Sequence, residues 1–172
     1  MAVVKSFPPI IGHEPKILVL GSSPGVISVK KQQYFAHSRN VFWPIMAQLF
    51  GIDISQGYEN TVKQFEKLPI ALWDCLKQCN REGSLDSAID KKSLEANDFV
   101  SIFEKHPTIH HVFCNGGLSF QYFNKLVLPT LSFSVKITQL PSTSPAHAAM
   151  GFQQKLEKWQ VIKASINSGN SS

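Results

Sequence analysis

The sequence predicts an α/β fold, a three-layer α/β/α sandwich with a central, mostly parallel four-stranded sheet, and three observations predict it. Short apolar runs alternate along the chain with stretches of helical periodicity, the order that builds a parallel sheet between helices. The clearest run, Ile17-Leu18-Val19-Leu20, is unbroken, as a strand buried on both faces must be. At 172 residues, 43% hydrophobic and only 17% charged, the chain is long enough for one core and too apolar to be disordered. A single domain over 1–172 is expected, with 165–172, rich in Ser, Asn and Gly, as a flexible tail.

The first strand is entered from Pro15-Lys16 and closed by Gly21. Ile70-Ala71-Leu72-Trp73 and Val112-Phe113-Cys114 read as two more buried strands, whereas Phe133, Val135 and Ile137 alternate with polar residues, as a strand nearer an edge does. Between them, Ile45, Met46, Leu49 and Phe50 form a helical stripe that stops at Gly51, and Leu118, Tyr122, Phe123 and Leu126 form another that stops before Pro129. Phe152, Leu156, Trp159, Ile162 and Ile166 recur at helical spacing and predict one closing amphipathic helix, with Lys155, Lys158 and Lys163 on its wetter sides. Ligands of such sheets bind outside the carboxyl ends of the strands, so the loops starting at Gly21, Asn115 and Leu140 are expected to meet.

A net charge of +5 and a pI near 9.2 favour a polyanionic partner without requiring one. Cys75, Cys79 and Cys114 are an odd count without CxxC spacing, which excludes a disulfide framework or a four-thiolate metal site within one chain and predicts buried thiols. Met1 to Pro15 is broken by Pro8, Pro9 and Gly12, and nowhere do about 18 apolar residues run together, so neither signal peptide nor membrane span is expected. A cytoplasmic location follows from that reading. The histidines lack ligand spacing, His110-His111 pointing to opposite faces of a strand, and no metal is implied.

Three segments have a composition that a core alone does not need. Gly21-Ser22-Ser23-Pro24-Gly25 makes a sharp turn whose backbone N–H groups can face a ligand, although it lacks the Lys-Ser/Thr ending of a P-loop and the spacing of a dinucleotide turn. Gln32 to Trp43 packs aromatics, amides, His and Arg into a dozen residues. Aromatic faces beside amides suit a planar heterocycle, while the plainer alternative makes Phe42 and Trp43 core anchors and Asn40 a helix cap. Leu140-Pro141-Ser142-Thr143-Ser144-Pro145-Ala146-His147-Ala148 is a rigid hydroxyl-rich loop that can grip phosphates or simply cap the next helix.

Taken in order, with Asn115-Gly116 after the third strand, these segments resemble the uracil-DNA glycosylase superfamily, and most of all its hypoxanthine-DNA glycosylase branch. The resemblance runs from Phe7-Pro8-Pro9 through Leu72-Trp73-Asp74 and Arg81-Glu82-Gly83-Ser84-Leu85-Asp86 to the final helix. Many members carry a catalytic Asp or Asn where this chain has Ser23, a departure that removes the usual mechanism. In the branch it resembles, that role belongs to the Asn before the aromatic pair, here Asn40. The resemblance further implies that Phe35 stacks on the extruded base, that Asn115 reads its edge, and that Gly21, Ser22 and Ser23 line the base site. Pro141, Ser142, Thr143, Ser144 and His147 then correspond to the loop that presses on DNA.

The implied activity is a monofunctional glycosylase, a monomer without cofactor or metal, that hydrolyses the N-glycosidic bond of hypoxanthine or uracil flipped out of DNA. Two rivals remain at this point. Ser23 as nucleophile would make a serine hydrolase, although the turn is not G-x-S-x-G. Alternatively, the replacement at Ser23 would leave a module that binds lesions without cutting them.

Overall fold

In a computed structural model, which describes residues 2–81 and 93–168, the chain runs β1 (Ala2–Lys5), β2 (Ile10–Ile11), β3 (Ile17–Gly21), α1 (Val26–Lys31), α2 (Phe42–Phe50), α3 (Tyr58–Phe65), β4 (Ile70–Asp74) and β5 (Leu76–Arg81). There follow β6 (Glu95–Ala96), α4 (Phe99–Lys105), β7 (His111–Asn115), α5 (Gly117–Tyr122), β8 (Lys136–Leu140), α6 (Phe152–Trp159) and α7 (Val161–Ser168). The main sheet has the order β2-β4-β3-β7-β8, with β4, β3, β7 and β8 all parallel. These are the four strands the sequence predicts. Two-residue β2 adds an antiparallel fifth at the β4 edge.

Period-two alternation along β3 sorts the core into two halves. Ile17 and Val19 face one side with Ile70 and Leu72, under Phe42, Trp43, Ile45 and Phe65 of α2 and α3 and Trp159 and Ile162 of α6 and α7. Leu18 and Leu20 face the other with Val112 and Cys114, under Phe99 and Phe103 of α4 and Tyr122 of α5. The layering is therefore helix, sheet, helix. The three cysteines are buried and free, and no helix among the described residues is long and apolar enough to cross a membrane.

Several elements depart from expectation. A second sheet, β1-β5-β6, is antiparallel and has no counterpart in the sequence reading. The last strand starts at Lys136, and Phe133 lies outside it, 44% exposed, with its ring against Phe103. The closing stripe is two helices divided at Gln160, not one. Lys155 is buried at 5% exposure rather than on a wet face, while Lys158 and Lys163 are exposed. The tail expectation fails over 165–168, which is helical and inserts Ser165 and Ile166 into the interior; residues 169–172 lie outside the described residues. Of the Arg81 to Asp86 segment, Arg81 ends β5 and 82–86 lie outside the described residues.

Candidate active site

The carboxyl ends of β3, β4 and β7 place Gly21, Asp74 and Asn115 side by side on the wall of one cavity of about 510 Å³. That volume suits a nucleobase with part of its sugar. The turn after β3, the Phe35 loop and the Ser/Pro loop after β8 close around it, bringing Ser22, Ser23, Phe35, Asn40, Ser142 and His147 to the same space. The turn after β3 and the Ser/Pro loop, over 100 residues apart in sequence, thus meet where the sheet order predicts, and the Phe35 loop joins them.

Phe35 sits at φ 53°, a left-handed conformation costly for a bulky side chain. Its neighbour explains how the loop holds it. The Tyr34 N–H donates to the Tyr58 hydroxyl at 3.0 Å, the Tyr34 carbonyl accepts from Trp43 Nε1 at 2.8 Å, and the Tyr34 hydroxyl donates to the Pro8 carbonyl at 2.9 Å. One hydrogen bond further on, the Ala36 N–H donates to Ser28 Oγ at 3.1 Å. The Phe35 ring lies 4.4 Å from that of Phe42, so one face rests on the core while the ring lines the cavity. Burial, then the negative field of Asp74, pushes the Tyr34 hydroxyl far up, and it stays neutral.

Asn40 is fixed by its own turn at the edge of the cavity. The N-cap of α2 is Val41, without a side-chain cap, so Asn40 is not the cap; its Oδ1 accepts from the Phe42 N–H at 3.0 Å in an Asx turn just ahead of the helix, and the residue lines the cavity. That bond orients the amide, and a carbonyl oxygen keeps a second lone pair. His37 braces the same turn: its Nδ1 accepts from the Arg39 N–H at 3.1 Å and its carbonyl from the Asn40 N–H at 2.9 Å.

Asn115 and Thr143 are more tightly joined than expected. The Thr143 N–H donates to Asn115 Oδ1 at 2.9 Å, and Asn115 Nδ2 donates to Thr143 Oγ1 at 2.9 Å. Thr143 is 1% exposed, and its carbonyl accepts from the Val41 N–H at 3.1 Å. Its hydroxyl therefore faces inward, tying β7 to the Asn40 turn, where the sequence reading has it on DNA. Gly116, at φ 93°, lets this junction close, because a Cβ there would lie 3.1 Å from Ser142 Cβ. Pro141 is off the cavity wall, and its carbonyl takes the Trp159 indole N–H at 2.9 Å. Beneath the loop, Lys155 Nζ donates to the Ser144 carbonyl at 3.3 Å, and burial lowers the lysine's pKa.

Ser23 lines the cavity wall, and its Oγ lies 3.6 Å from Cys79 Sγ. The residue that site reasoning overlooked is Asp74. It is only 3% exposed yet lines the cavity, and its sequence neighbours Leu72-Trp73 read as strand, so nothing local flagged it.

The model for the uracil DNA glycosylase superfamily matches residues 8–164, and the chain belongs to that superfamily. Within it, the hypoxanthine DNA glycosylase of Methanosarcina barkeri is 35% identical over 134 residues, 77% of this chain and 82% of its own. The hypoxanthine DNA glycosylase of Methanosarcina acetivorans is 31% identical over 161 residues, 93% of this chain and 98% of its own. A candidate uracil DNA glycosylase from Methanosarcina acetivorans, solved by NMR in solution, superimposes with a TM-score of 0.78 at 28% identity, covering 94% of this chain and 96% of that one.

Proposed function

We propose that this DNA glycosylase releases hypoxanthine, and uracil as a second substrate, from DNA by hydrolysis of the N-glycosidic bond, leaving an abasic site with the strand intact. The observation that carries the reading is the meeting of the Phe35 ring, the Asn40 amide and the Ser/Pro loop around one base-sized cavity. The two hypoxanthine DNA glycosylases similar to this chain support the choice of base.

A base stacked in a duplex is out of reach, so it must rotate into the cavity, at a cost of a few kcal/mol that a mismatch lowers. Phe35 stacks on the extruded ring. As the C1′–N bond lengthens, the sugar becomes cationic and the base leaves as an anion. Asn40 Oδ1, held in place by the Phe42 N–H, accepts a hydrogen from the attacking water and aims its oxygen at C1′. Backbone N–H groups of the Gly21 to Ser23 turn, and His147, stabilise charge on the departing base. Ser142 and Ser144, on a loop pinned by Trp159, Lys155 and Asn115, bear on the DNA backbone. In this reading the enzyme is a cytoplasmic monomer that uses no metal.

Labelled duplexes carrying one deoxyinosine or one deoxyuridine, incubated with chelator and then treated with alkali, test this. Wild type should break the inosine strand, and Asn40→Ala should lower the rate about 100-fold or more. Asn40→Ser keeps a short acceptor for the Phe42 N–H while withdrawing the amide from the water, and so separates a lost turn from lost chemistry. Binding to inosine-containing DNA without an abasic product would leave only a lesion-binding module, and a covalent adduct trapped by borohydride would sink the hydrolytic mechanism.

A further inference from the structure

The His37 ring stands on the cavity wall, and the mechanism above gives it no contact with DNA. Its Nδ1 accepts from the Arg39 N–H at 3.1 Å, and a nitrogen that accepts carries no hydrogen, so this bond assigns the ring hydrogen to Nε2. One edge of the imidazole is thus spent on its own turn, and the other is a donor that meets no acceptor among the described residues. The residues around it divide in two. Phe35 and Asn40 line the cavity, where the base and the water at C1′ belong, while Ser38 and Arg39 are exposed, as are Lys30 and Lys31 ahead of the loop. The half-buried imidazole stands where the base cavity gives way to that cationic rim. One turn carries both functional groups, because the Asn40 N–H donates to the His37 carbonyl at 2.9 Å.

We propose that His37 grips the phosphate adjoining the extruded nucleotide, its Nε2–H donating to a non-bridging oxygen. The cationic rim favours an anion at this edge of the cavity over the neutral base. In a nucleotide only a few covalent bonds separate C1′ from its phosphates, and in the protein a single hydrogen-bonded turn separates His37 from Asn40. A phosphate seated on the imidazole therefore fixes where C1′ falls against the Asn40 amide, and the grip that holds the flipped nucleotide also sets its register with the attacking water. The inference rests on the glycosylase reading and adds the backbone contact that registers the substrate.

The test pairs a change in the protein with a change in the DNA. His37→Asn keeps a short acceptor for the Arg39 N–H, in the geometry of an Asx turn, and withdraws the Nε2–H. The duplexes carry one deoxyinosine whose 5′ or 3′ phosphate is replaced by a methylphosphonate, each diastereomer separately, and base release is followed in a single turnover. On the unmodified duplex His37→Asn should be roughly 10- to 100-fold slower than wild type, the loss expected for a hydrogen bond to a charged group. At least one methylphosphonate should slow wild type by a similar factor and slow His37→Asn by less than about threefold. A His37→Asn rate equal to wild type, or a methylphosphonate series that never slows wild type or slows both proteins alike, would overturn the proposal and leave His37 a brace. If the variant does not fold, or if wild type releases no base and the glycosylase reading falls, heteronuclear NMR of wild type on uncleavable 2′-fluoro-deoxyinosine duplexes decides His37 separately. Its Nε2 hydrogen should be protected from exchange on the phosphodiester duplex and lose that protection on one methylphosphonate. No protection, or protection that every methylphosphonate preserves, overturns the contact.

Discussion

At the scale of single residues, the cavity is built from side chains held harder than packing requires. Phe35 keeps a left-handed backbone because Tyr34 is anchored through its N–H, carbonyl and hydroxyl, so strain is stored where the ring must stand. Phe35→Ala should leave the fold intact and weaken binding of a flipped base by about 1–3 kcal/mol, read as DNA affinity in a fluorescence titration. Thr143→Val is close to isosteric but removes the acceptor for Asn115 Nδ2, leaving a buried amide hydrogen unpaired. It should lower unfolding free energy by about 1–3 kcal/mol in urea denaturation, and slow base release by loosening the Asn40 turn that Thr143 also holds.

At the scale of elements, the Ser/Pro loop depends on the helix behind it. Lys155 donates to Ser144 from a buried position, and a buried ammonium contributes little to stability while fixing a geometry. Lys155→Met should therefore hold or raise the thermal midpoint yet weaken binding to inosine-containing DNA severalfold, a split that calorimetry and an affinity titration reveal together. The same scale explains what could be read from sequence. Ile17 to Leu20, buried on both faces, announces itself as an unbroken apolar run, and the loops with odd composition fall at the ends of the strands it organises. β5 does not announce itself. Leu76 and Cys79 are both buried although an odd spacing puts them on opposite faces of a regular strand, and the register shift between Leu76 and Gln78 reconciles the two. Likewise Lys155 stands three residues after Phe152 and four before Trp159, on the inward stripe, yet its charge reads as a solvated side chain until α6 docks under the loop and supplies the Ser144 carbonyl. Asp74 stayed hidden because a strand's last residue shows its surroundings only when the neighbouring strand is in place.

At the scale of the molecule, the two ends of the sheet are electrically distinct. Far from the cavity, His111 accepts or donates at both ring nitrogens, to Ser165 at 3.0 Å and Thr138 at 2.7 Å, and burial, helped by His110 and Lys136, lowers its pKa to about 4. The unfolded chain binds that proton near the ordinary value of about 6.5, so stability is lost as pH falls from there toward 4. Thermal midpoints taken across that range should drop for wild type and drop less for His111→Gln. Near the cavity, Lys30, Lys31 and Arg39 are exposed beside the loop that carries Phe35. Replacing Lys30 and Lys31 by Gln should reduce the salt dependence of DNA affinity by a slope of about 2, affecting inosine and normal duplexes alike.

The small second-edge strand has a consequence for behaviour in concentrated solution. An open parallel sheet offers its outermost strand as a template on which another chain can polymerise. Here β2 supplies only two residues to that edge, follows Pro8-Pro9, and gives way at once to Gly12, so it satisfies part of β4 while presenting little that a stranger could extend. The opposite edge, β8, begins at an exposed Lys136. Such blunted margins keep the sheet of a repair enzyme from recruiting copies of itself into fibres.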